Sequence, residues 1–207
     1  MGLRYKDRKG EKMARIPYVI EKGDKGEERV YDLFSRLLKD RIIFVNGGFT
    51  SEMADSVVAQ LLFLEAKDST EDIFMYINSP GGLIRAMYAI YDTMNYVKPD
   101  IVTVGYGMVM SAGSFILAAG TKGKRFCLPN TSIMIHELSA GTKGKFNDLK
   151  IEYEELQKEY DRMAKDYVKM TGQKLAKIKA DMERDFFMTA VEAKKYGLID
   201  KVEEKRV

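Results

Sequence analysis

Charged residues recur every few positions along this chain except between Ile101 and Thr121, where the sequence runs IVTVGYGMVMSAGSFILAAGT. A stretch of about 20 apolar residues is long enough to cross a bilayer. This one is interrupted by glycines at 105, 107, 113 and 120 and by Thr103, Tyr106, Ser111 and Ser114. The texture instead predicts a buried strand at Ile101–Val104, a tight glycine turn, and a buried helix beginning near Ser111. A serine at a helix start sits among backbone N–H groups that have no partner within the helix.

Elsewhere the periodicity predicts alternating strands and helices. Ile16–Ile20 reads as a short extended piece and Lys22–Glu28 as a charged loop, followed by a helix over Tyr31–Lys39 and a strand over Ile42–Val45. Asn46-Gly47-Gly48 turns the chain, and Thr50 or Ser51 caps a helix whose apolar face is 53, 57, 61 and 64. Ile73–Ile77 is nearly all apolar, as expected of a parallel strand covered on both faces. It leads through Asn78-Ser79-Pro80-Gly81-Gly82 into a helix that Pro99 stops. Phe126–Leu128 and Ser132–His136 add strands. This order predicts an α/β fold on a parallel sheet.

Beyond Gly144 the pattern changes. Leu149, Tyr153, Leu156, Tyr160, Met163, Tyr167 and Met170 alternate four and three apart, a coiled-coil-like seam on a long helix capped by Asn147 and stopped by Gly172. Such a seam packs either on its own core or on a helix of a second subunit. Thr189 with Glu192 forms a capping box for the last helix, closed by Gly197 before a strand over Leu198–Val202. Residues 120–124 and 141–145 both read GTKGK. Five residues are too few for a solenoid period, so these are read as two flexible turns.

Composition narrows the function classes. Residues 1–15 hold six Lys/Arg against two acids, so the net charge of +3 leaves a near-neutral body with no nucleic-acid footprint. The basic start lacks the apolar core of a secretory signal. Cys127, the single cysteine, excludes an intramolecular disulfide and fits a reducing, cytoplasmic setting. It is read as a small core residue rather than a nucleophile. Neither GTKGK string has P-loop spacing, so any ATP-driven work requires nucleotide binding by another chain. No metal or cofactor is expected.

The chemistry then rests on few groups. Ser111 needs a base to act as a nucleophile, and the one histidine, His136, ends an apolar strand. Parallel sheets carry their reactive groups at the carboxyl ends of strands, where both residues fall. Gly81-Gly82 follows a neighbouring strand and offers bare backbone N–H groups to a developing oxyanion. Among 31 acids the residues alone do not select an orienting partner.

YINSPGG at 76–82, GMVMSAGSFILAAGTKGKRFCLPN at 107–130, MIH at 134–136 and ERDFFMTAVEAKKYGLIDKV at 183–202 resemble the Clp protease proteolytic subunit family (ClpP), as do FSRLLKDRIIFVNGG at 34–48 and IYDTMNYVKPD at 90–100. The resemblance implies a crotonase/ClpP-like fold of repeated β/α/β units with a projecting long-helix handle at about 137–172. The single peptidase domain would span 16–207, after a removable basic extension at 1–15. It implies a self-compartmentalised serine endopeptidase with a Ser–His–Asp triad of Ser111, His136 and Asp185. The backbone N–H groups of Gly82 and Ala112 correspond to its oxyanion hole, and Arg184 to an oligomer contact across rings. Two stacked heptameric rings of one chain, polypeptide substrates and an AAA+ unfoldase of the Clp type are the implied partners, with no nucleic acid and no membrane. A non-catalytic ring subunit is the alternative. The chain departs from the family pattern at Met110 and Ala112, which flank the serine, and at Glu137-Leu138, where Gln-Pro is usual. A glycine-rich strand over Ser139–Lys145 is expected to follow.

Overall fold

The computed structural model describes residues 16–22, 26–139, 141 and 143–205, so the basic segment 1–15 lies outside the described residues. The chain divides into two units, Met1–Arg41 and Ile42–Val207. In the first, β1 (Tyr18–Lys22) and β2 (Glu28–Asp32) form an antiparallel hairpin followed by α1 (Leu33–Lys39). Glu21 on β1 pairs with both Arg36 and Lys39 of α1. The helix starts two residues later than its periodicity suggests, because the Asp32 carboxylate accepts from the Ser35 N–H and caps it there. Strand β2 was not foreseeable as such, since ERVYD has no buried side chain and no alternation of apolar residues.

The second unit carries β3 (Ile42–Asn46), α2 (Ser51–Lys67), β4 (Ile73–Ser79), α3 (Ile84–Tyr96), β5 (Ile101–Met110), α4 (Ala112–Ala118), β6 (Arg125–Cys127) and β7 (Ser132–Ile135). It continues with α5 (Phe146–Thr171), α6 (Leu175–Met182), β8 (Phe186–Thr189), α7 (Ala190–Tyr196) and β9 (Lys201–Val202). Strands β3-β4-β5-β6-β9 form a parallel sheet in that order. The successive strand–helix–strand units match the repeated β/α/β units that the resemblance implies. Ile43, Val45, Ile73, Met75 and Ile77 are fully buried, as are Val57 and Leu61 of α2, Ile90 of α3 and Phe115 and Ile116 of α4; α2 packs on β3, α4 on β4 and β5, and α3 on both helices. Burial of each such side chain stabilises the fold by about 1.5–3 kcal/mol.

The sheet differs from expectation on its other face. β4 alternates, with Phe74 exposed and Tyr76 half-buried between buried neighbours, so this strand is covered on one face in this chain. Its outward aromatics ladder across strands, Phe44 stacking on Tyr76 and Tyr76 meeting Tyr106 edge-on. On α2 the buried residues are Ala54, Val57, Leu61 and Leu64, with Met53 half-buried.

No glycine turn separates Val104 from Ser111. Instead β5 runs on through Gly105 and Gly107. Ile77 pairs with Gly105 and Ser79 with Val109, so β5 is bulged here relative to β4. Two asparagines hold the bulge: Asn78 Oδ1 accepts from the Met108 N–H and Asn46 Oδ1 from the Tyr106 hydroxyl. Gly107 supplies the positive φ of 63° that the bend requires. Bent in this way, β5 pairs with β6 through its first half and with β7 through its second. β7 in turn pairs antiparallel with β8, so a short three-strand ribbon branches from the sheet.

The long helix α5 begins at Phe146 with Lys145 as its cap, so Asn147 is inside the helix; Gly172, at φ 76°, closes it as expected. The two halves of its seam differ in burial. Met163 and Tyr167 are buried, whereas Tyr153 is 66% exposed. The first half therefore stands clear of the core. Among residues 139–145, those described form no strand, and 140 and 142 lie outside the described residues. The first GTKGK is tied down: Lys124 binds Asp72 and Asp100, and the Thr121 N–H donates to Ile101 O. The capping box of Thr189 and Glu192 is formed, but the final strand shortens to Lys201–Val202. Among the described residues no helix is long and apolar enough to cross a membrane.

Candidate active site

Register brings the three expected side chains together. β5 and β7 are parallel, with Met110 beside Met134, and β7 and β8 are antiparallel, with Ile135 beside Phe186. Ser111 is the first residue beyond β5, His136 the first beyond β7, and Asp185 the residue just before β8. In an antiparallel pair the end of one strand meets the start of the other, so all three fall at one end of the ribbon, on strands about 4.8 Å apart. Ser111 Oγ lies 2.9 Å from His136 Nε2. His136 Nδ1 lies 3.3 Å from Asp185 Oδ1. With Nδ1 protonated toward the carboxylate, Nε2 is the lone-pair nitrogen and accepts the serine proton.

Ser111 adopts φ 54° and ψ −120°, a conformation that costs a non-glycine residue about 1–3 kcal/mol. The surroundings hold it there. Its N–H donates to Met134 O at 2.9 Å, and its carbonyl accepts from the Phe115 N–H at 3.1 Å and the Ser114 hydroxyl at 2.7 Å. Because the Ser111 N–H is already engaged, the next donor is Ala112, the first residue of α4. The leading N–H groups of a helix have no intrahelical acceptor.

The SPGG turn sits against this serine. Ser79, fully buried, donates to Gly47 O at 2.5 Å and accepts from the Gly81 N–H at 3.0 Å. A Cβ on Gly81 would lie 2.5 Å from Ser111 Cβ, and one on Gly82 would lie 2.5 Å from Phe49 O. Phe49 bridges Gly82 by donating to Gly81 O and accepting from the Leu83 N–H. Alternation along an extended strand turns the N–H of Gly82 itself away from Phe49.

Arg184 is exposed and makes no ion pair among the described residues. Glu137 is exposed, and its charge acts on Tyr160. Cys127 is fully buried, and burial pushes its thiol up to about 12, which makes it a packing residue. An open depression lined by Asn130, Ser132, Thr189 and Glu192 lies at the opposite end of the β7–β8 ribbon from the serine. Among the described residues no cluster of His, Cys, Asp and Glu could hold a metal ion.

The sequence profile of the Clp protease family matches residues 24–206. The chain belongs to the Clp protease family. It is thus of peptidase class, and the family match spans nearly the whole α/β unit together with the hairpin strand β2. Several residues that shape the site were missed from sequence. Asn46 and Asn78 looked like turn residues, and Ser114 looked like an incidental hydroxyl in an apolar helix. The one available signal was Ser114 itself, a polar side chain three residues beyond Ser111 on a helix with no water to satisfy it.

Proposed function

We propose that this chain is a serine endopeptidase in which Ser111, His136 and Asp185 act in series. The observation that carries this reading is the continuous contact from Ser111 Oγ through the imidazole to the Asp185 carboxylate. His136 Nε2 takes the hydroxyl proton as Ser111 Oγ attacks the peptide carbonyl. Asp185 holds the imidazole tautomer and stabilises the cation that forms. The negative charge that develops on the carbonyl oxygen is met by the N–H groups of Gly82 and Ala112, the latter at the positive end of α4. His136 then returns the proton to the leaving amine, and water repeats the cycle on the acyl-enzyme.

Family resemblance extends the proposal to stacked heptameric rings, with Arg184 at the ring-to-ring contact, and to an AAA+ unfoldase that delivers unfolded chain. A fluorophosphonate reagent tests the chemical core. We expect covalent labelling at Ser111, located by mass spectrometry and abolished by His136→Ala. An assembled protein that stays unlabelled would instead be a non-catalytic ring subunit.

A further inference from the structure

The geometry points to Ser114 and Tyr167 as positioning residues for Ser111, an inference that rests on the proposed peptidase reading. Ser114 Oγ lies 2.7 Å from Ser111 O, 2.8 Å from Met134 O and 3.1 Å from the Tyr167 hydroxyl. Both carbonyls can only accept. The single proton of Ser114 therefore goes to one of them, and Tyr167 donates its own proton to Ser114 Oγ. Tyr167 is 2% exposed, its ring packs edge-on against Phe115, and burial raises its pKa, so it stays a neutral donor.

What this hydroxyl pair joins gives it a role beyond packing. Ser111 O belongs to the cap of α4, and Met134 O belongs to β7, two residues before His136. Ser114 bridges the strand end that aims the base and the turn that aims the nucleophile. The Ser111 N–H donates to the same Met134 carbonyl, so that bond and the Ser114 hydroxyl together tie the turn to the strand end. Tyr167 fixes the bridge from behind, from the buried half of α5. Ser111 occupies an unfavourable backbone conformation, and a lost restraint lets it relax away from the ring nitrogen. Displacements of about 1 Å at a reacting atom can lower rates about 100-fold, and partial loss of one restraint should cost about tenfold.

The test compares the full chain with Tyr167→Phe, which keeps the ring and removes one oxygen, and with Ser114→Ala. Fluorophosphonate titration gives the fraction of competent sites, and the acylation rate per competent site reports nucleophile placement. We expect undiminished titre in Tyr167→Phe, with the rate per site lowered about tenfold and peptide kcat falling in step at unchanged KM. Ser114→Ala should lose at least as much, and the double variant no more than Ser114→Ala alone, because the two hydroxyls act as one unit. Wild-type rate per site in both variants overturns the inference, even if titre falls, because lower titre alone marks a merely structural role. A wild-type chain that fails to label overturns the peptidase reading itself.

Discussion

Gly81 shows how little freedom the site allows at the level of single atoms. A methyl group there would sit 2.5 Å from Ser111 Cβ and 3.0 Å from Met110 O, and φ is 100°. Backbone and nucleophile would both have to move, so Gly81→Ala should lower kcat by 100-fold or more, at a stability cost of about 1–3 kcal/mol. Acylation kinetics measure the first quantity and thermal unfolding the second. Ser111 and His136 were legible in the sequence because each is a chemically exceptional residue, one in a charge-free run and one unique in the chain. Asp185 was not legible from its own neighbourhood and came only through resemblance. Its selection depends on the register of β7 against β8, a contact between distant segments that no local pattern encodes. The run FFMT ahead of the Thr189 cap could have been read as a strand, and that strand would have nominated its leading aspartate.

Helices with firm stop and start chemistry were legible to within a residue or two, as at Thr50, Gly172 and the Thr189–Glu192 box. Elements set by tertiary pairing were not: β2, α6 and β8 have short or polar sequences that gain structure from their neighbours. The glycine turn expected inside β5 failed for a related reason. Glycine permits a turn, but Asn46 and Asn78 hold this one as a bulge within a strand. Arg125 is the clearest single link between elements. Buried on β6, it donates to Ala118 O at the end of α4 and Met170 O near the end of α5 while pairing with Asp200. Burial would raise the Asp200 carboxyl, but the hydrogen bonds and charge of Arg125 outweigh it and hold the carboxyl below its usual range. A depressed native pKa means stability present above the unfolded value of about 3.9 and lost as pH falls through the native one. Asp200→Asn should therefore flatten the acid limb of the stability curve. Asp200→Ala should cost about 3 kcal/mol at neutral pH, because Arg125 is left charged and buried; denaturant unfolding at several pH values reads both effects.

Across the whole molecule, α5 divides its labour between an anchored half and a free one. Phe146, Ile151 and Tyr153 are left largely exposed on its first half, the kind of apolar surface that marks association. If the proposed rings stack through this half of α5, Tyr153→Glu should lower the sedimentation coefficient and leave the far-ultraviolet circular dichroism unchanged. A variant that assembles like the wild type would remove this helix from the ring contact. The ribbon of β5, β7 and β8 carries a further consequence, one of timing. Chains emerge from the ribosome amino end first, and domains fold as units once their parts are available. The serine and histidine emerge early, but β8 follows only after the long helix and α6. On the proposed triad, an unfinished chain therefore holds a nucleophile and a base with no acid to orient them, and the antiparallel pairing that supplies Asp185 must wait for one of the later strands. On that reading, a protease built in this order is inert while it is being made.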